Sequence, residues 1–80
     1  VWARPGLDRI TRRCITIAIL VSLGRWEELE IHIRAAAVED LSPDQIEEVL
    51  LHTAIYCGVP TANAAFEHAK PALASEDRLA

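Results

Sequence analysis

The 80 residues contain no methionine, not even at the first position, Val1. A chain without an initiator is expected to be a piece of a longer product, or a processed one. Cysteine is scarce as well: Cys14 and Cys57 lie far apart, with no second cysteine or histidine at metal-ligand spacing. They read as free thiols, and a structural zinc site is excluded. Positive charge is not in excess, since the formal net charge is −4. That leaves no basic footprint for nucleic acid. Long apolar runs are missing too, because "CITIAILVSLG", Cys14 to Gly24, is far shorter than the ~20 residues that span a bilayer. No basic-led signal with a cleavage site precedes it, and a soluble cytoplasmic protein with no membrane partner is expected.

What is present is globular in composition, with 51% hydrophobic and 25% charged residues. A single domain of this size buries only about 60% of the surface that its unfolded chain exposes. Partner subunits would therefore stabilise it.

The apolar periodicity is helical throughout, and the expected fold class is all-α, a small domain of about four helices. Val1 to Leu7, with Pro5 and Gly6, reads as an extended lead-in. Asp8 then caps a helix that runs to Leu23 and leaves through Gly24. A second, amphipathic helix covers Arg25 to about Val38, with Trp26, Leu29, Ile33 and Ala36 as its apolar stripe. Ser42, Pro43 and Gln45 spell an N-cap, an N1 proline and a capping-box partner for a third helix, which stops at Gly58. An alanine-rich fourth helix is expected from about Pro60 to Ala69, with Lys70, Pro71 and "SEDRLA" fraying beyond it.

Chemistry is most concentrated on the second helix. At about 100° per residue, Arg25, Glu28 and His32 share an arc of roughly 60° bordering the apolar stripe. A carboxylate one turn before an imidazole can orient it and raise its pKa, which suits a general acid or base, while a nearby arginine can hold an anion. A solvated face with i,i+4 charge pairs explains the same spacing. His52 and Tyr56 form another i,i+4 pair on the third helix, with packing as the plainer explanation and a place beside substrate as the other. His68 reads as a surface residue and Cys57 as a small core residue. Arg12 and Arg13 are odder, because an arginine on an otherwise apolar helix needs a charge partner or a bound anion.

Taken together, "RPGLDRITR", "LGRWEELEIHIRAA" and "EEVLLHTAIYCGVPTANAAF" resemble the carboxymuconolactone decarboxylase family, most closely its gamma-carboxymuconolactone branch. The likeness runs from about Trp2 to Ala69, and "HTAIYCGVPTAN" is its most specific part. In the related alkylhydroperoxidase branch, two cysteines of a CxxC stand where this chain has Arg25 and Glu28, while His32 keeps the histidine position. Thiol peroxidase chemistry of that kind is excluded.

The resemblance implies an alkylhydroperoxidase-like helical oligomer, of three or six subunits, in which residues 1–80 lack N-terminal helical sequence of the full subunit. It also implies cofactor-free, metal-free decarboxylation of 4-carboxymuconolactone to 3-oxoadipate enol-lactone, in the β-ketoadipate pathway. His32, oriented by Glu28, is then the expected catalytic group. Arg25, Arg13, Arg4, His52 and Tyr56 are the expected contacts of the dicarboxylate lactone. A relative acting on another lactone or a β-keto acid, or a non-catalytic helical oligomerisation module, are the alternatives. One departure stands out: in "AVEDLSPDQ", Glu39 and Asp40 occupy a turn where relatives commonly have a glycine.

Overall fold

A computed structural model describes residues 1–77, with side-chain surroundings described as far as residue 74. Four helices follow one another: α1 (Arg9–Leu23), α2 (Trp26–Glu39), α3 (Pro43–Cys57) and α4 (Val59–Asp77). Helices α2 and α3 each pack against both α1 and α4, whereas α1 and α4, like α2 and α3, are diagonal pairs with few contacts. The all-α expectation holds. No helix among the described residues is long and apolar enough to cross a membrane.

Local chemistry sets the boundaries. The Asp8 carboxylate accepts from the Thr11 backbone N–H at 2.6 Å, as an N-cap does. At the other end of α1, Gly24 adopts a left-handed φ of 69°, and the Arg25 N–H reaches back to the Leu20 carbonyl at 2.9 Å. That is the Schellman arrangement, and it folds α2 directly back onto α1. Arg25 provides no side-chain cap for α2, but Glu27 and Glu28 place negative charge in its first turn. Ser42 and Gln45 complete the expected capping box, with Gln45 N–H to Ser42 Oγ at 3.1 Å and Ser42 N–H to Gln45 Oε1 at 2.9 Å.

Ile17, Leu20 and Val21 of α1, Leu29, Ile33 and Ala36 of α2, and Ile46 and Leu50 of α3 form the core. Helix α4 contributes Ala65, Ala69 and Ala72 to it. Alanines at this spacing let the α4 backbone approach its neighbours closely.

Two expectations need correction. Helix α4 does not end near Ala69 but continues past Pro71, because burial of Ala69 and Ala72 offsets the hydrogen bond that a proline cannot donate. Residues 78–80, part of the segment expected to fray, lie outside the described residues. The lead-in is not extended either: the Arg4 N–H bonds to the Val1 carbonyl at 3.2 Å in a turn. Arg12 then donates to the carbonyls of Leu7 at 3.2 Å and Arg4 at 3.1 Å, which holds the lead-in against α1.

Candidate active site

Of the two arginines that looked out of place on α1, Arg13 points inward and is 5% exposed. A buried guanidinium requires compensation, and Asp40, at the C-terminal end of α2, supplies it with Oδ2 2.8 Å from Arg13 Nε. The other Asp40 oxygen takes Arg9 Nε at 3.1 Å, and Arg9 also pairs with Glu39. Arg13 Nη1 lies 2.8 Å from His32 Nδ1. Trp2 closes the cluster, its ring 4.7 Å from the Arg13 guanidinium carbon and stacked on His32. The lead-in, α1 and both ends of the second half of α2 thus meet around one imidazole.

This geometry fixes the state of His32. A guanidinium has donors and no acceptor, so Nδ1 must accept and the neutral ring carries its proton on Nε2. Burial lowers the His32 pKa and the Arg13 charge lowers it further, against a smaller upward pull from Glu28. The expected rise driven by Glu28 is therefore reversed: desolvation and a neighbouring cation outweigh a carboxylate that stays at the surface. Glu28 is exposed and faces Arg25 at 3.8 Å; among the described residues the hydrogen bond to His32 comes from Arg13.

The remaining candidates separate. Arg13 is part of the cluster, with its charge already engaged by Asp40 and His32. Arg4 is exposed on the lead-in. Arg25 and Glu28 line a groove of about 490 Å³ with Trp26 and His68. His68, expected to be merely a surface residue, ties α4 to α2 through Glu30 at 2.6 Å and stacks on Trp26. His52 lines another groove, about 520 Å³, between α1 and α3 with Cys14 and Thr53, and it packs against the exposed Tyr56. His52 and Tyr56 are not brought into the Arg13–His32 cluster.

Residues 1–71 match the carboxymuconolactone decarboxylase family. The chain belongs to that family. It is 46% identical over 70 residues to the 4-carboxymuconolactone decarboxylase of Acinetobacter baylyi, covering 88% of this chain and 52% of that protein. It is also 41% identical over 61 residues to the nitrosuccinic acid decarboxylase of Metarhizium robertsii, covering 76% of this chain and 43% of that protein. The chain spans about half the length of the curated relatives that it matches. No solved structure matches it.

Within the family fold, Trp2 and Asp40 are the site residues that sequence reasoning did not place in the site. Asp40 had a signal, since it sits in the turn that departs from the resemblance, and the arginine pair on α1 needs a carboxylate. For Trp2 there was none, because its position depends on the turn that Arg12 holds.

Proposed function

We propose that this chain carries the catalytic helices of a cofactor-free decarboxylase for a carboxymuconolactone-like dicarboxylate, converting 4-carboxymuconolactone to 3-oxoadipate enol-lactone. The observation that carries this reading is the Arg13–His32 hydrogen bond, which leaves an imidazole with a directed Nε2–H beside an aromatic face. The likeness to a 4-carboxymuconolactone decarboxylase supports the choice of substrate.

In such a lactone the electron pair of the breaking C–CO₂ bond flows through the conjugated ring to the carbonyl oxygen, and a proton from solvent returns to the ring carbon. The carbon skeleton is its own electron sink. The protein must hold a dianion and stabilise the oxyanion. A preorganised N–H donor at low local polarity suits the second task, and His32 Nε2–H is such a donor. For the first, Arg12 lines a groove with Trp2 and Arg4 is exposed on the lead-in, and neither has a carboxylate partner among the described ion pairs. Glu28 and Arg25 lie at the start of the same helix, where Arg25 can meet the far carboxylate.

A second reading keeps the site and changes the acid that it decarboxylates, and the likeness to a nitrosuccinic acid decarboxylase favours it. Loss of lactone ultraviolet absorbance with equal release of CO₂ tests the first reading. Release of CO₂ from nitrosuccinate but not from the lactone would favour the second, and inertness toward both would overturn each.

We also propose that the working form is a homo-oligomer, a trimer or hexamer. Ile15 and Ile19 of α1, Ile31 and Val38 of α2, and Leu51 and Ile55 of α3 are all exposed and want cover.

A further inference from the structure

We infer that Asp40 is a positioning residue of this site: by gripping Arg13 Nε it aims Arg13 Nη1 at His32 Nδ1 and so holds the imidazole in its Nε2–H form. The inference rests on the proposed decarboxylation for its consequence in catalysis, but its structural content stands apart from it.

The guanidinium is a rigid planar fork, so fixing one nitrogen fixes the direction of the others. Asp40 Oδ2 sits 2.8 Å from Nε, and the Asp40 side chain is 4% exposed, so solvent does little to loosen that grip. The carboxylate is itself held. Its Oδ1 takes Arg9 Nε at 3.1 Å, and its backbone N–H closes on the Ala36 carbonyl at 2.8 Å at the end of α2. His32 lies two turns earlier on that same helix, and Arg13 therefore bridges two points of one rigid element. Trp2 covers the other face of the guanidinium at 4.7 Å. A glycine at position 40 would offer Arg13 no partner, and a buried guanidinium without one would turn toward solvent or toward Glu39. The His32 Nδ1 would then lose its donor.

A purely structural role for Asp40, neutralising a buried charge, predicts a loss of stability and nothing more. The positioning role predicts a change in the imidazole itself. The charged groups that face His32 are Arg13 from α1 and Glu28 from its own helix, with Trp2 of the lead-in against the ring. Releasing Arg13 removes the cation and leaves the carboxylate, so the proton affinity of His32 rises.

Nitrogen-15 spectra of the ring nitrogens in the full chain read this directly, with the His32 signal assigned by its disappearance in His32→Gln. In the parent, Nε2 is expected to be protonated and Nδ1 bare at neutral pH. In Asp40→Asn, which keeps size and a hydrogen-bonding oxygen, both tautomers should appear and the titration midpoint should move upward. A fall in kcat of roughly tenfold or more should accompany that mixture, since loss of the correct tautomer is costly wherever a partner orients a catalytic imidazole. If Asp40→Asn does not fold, Asp40→Glu keeps the buried charge neutralised while displacing the carboxylate by one methylene, and must show the same mixture of tautomers. A parent with its proton on Nδ1, or a folded variant with the parental tautomer and midpoint, overturns the inference. A parent with the expected tautomer but no decarboxylation overturns the function instead.

Discussion

Trp2 lies over His32 with ring centroids 6.3 Å apart and planes inclined by 15°. A residue of the lead-in therefore covers the imidazole at the middle of α2. The same indole faces the Arg13 guanidinium, so it shields the Arg13–His32 hydrogen bond from water on one side and strengthens it. That corner joins an aromatic wall to a directed N–H donor.

Replacing His32 should damage turnover more than binding. His32→Ala removes the donor, and kcat is expected to fall roughly 10²- to 10³-fold, as when an oxyanion-stabilising group is lost. His32→Gln keeps an N–H donor, so the difference between the two variants measures what that donor contributes. Glu28→Gln should cost far less and move the His32 midpoint further down, because the one upward influence on it is removed. A folded His32→Ala protein with near-parental kcat would remove the imidazole from the reaction.

Breaking the buried pair should be costly. Asp40→Ala strands Arg13 beneath Trp2, and a loss of about 3–5 kcal/mol is expected on urea unfolding. Arg9→Ala removes an exposed partner of the same carboxylate and should do much less. Equal effects of the two would mean that Arg13 escapes to solvent without penalty.

Much of this was legible in the residues. Caps and glycines marked α1 and α3 because those signals act within four or five residues of chain. The stripe of Leu29, Ile33 and Ala36 read correctly because a 3.6-residue period is a local property. The extent of α4 was not legible, since the burial of Ala72 against other helices decides whether Pro71 is tolerated. Nor was the partner of His32. Spacing along one helix favoured Glu28, whereas Arg13 reaches the ring from α1, nineteen residues away. Contacts across helices carry no period.

Self-association is the next expectation. The exposed isoleucines on α1, α2 and α3 leave more apolar surface than a small monomer tolerates. Light scattering at micromolar concentration should give a mass of three subunits or more, and Ile55→Glu or Ile31→Glu should lower it. A monodisperse monomer would count against the assembly.

The cysteines should be dispensable for turnover. Burial raises the Cys14 pKa, with Asp8 adding to it, so the reactive thiolate is scarce at neutral pH. Alkylation of Cys14 is expected to be slower than that of a free thiol, and a Cys14→Ser/Cys57→Ser protein should retain activity within several-fold. Its complete loss in a folded variant would bring thiol chemistry back.

Finally, folding stability should decline in two steps as the solution is acidified. The folded state lowers the His32 pKa, through burial and Arg13, below the ordinary value of about 6.5 that applies in the unfolded chain. Between those two values the unfolded chain binds more protons than the folded one. Stability is therefore full above about 6.5 and falls as pH drops through the folded value. Asp8 behaves likewise at lower pH, because its hydrogen bonds with Thr11 lower its pKa; the stability that they confer is present above the usual carboxylate range and lost below it. Urea midpoints across a pH series should show both declines. His32→Gln should flatten the upper one, and Asp8→Asn, which still caps α1, should flatten the lower one alone. Stability that rises as pH falls through 6.5, and no longer does so in His32→Gln, would mean that the folded state favours the imidazolium, and the Arg13 hydrogen bond to Nδ1 could not then be the resting arrangement.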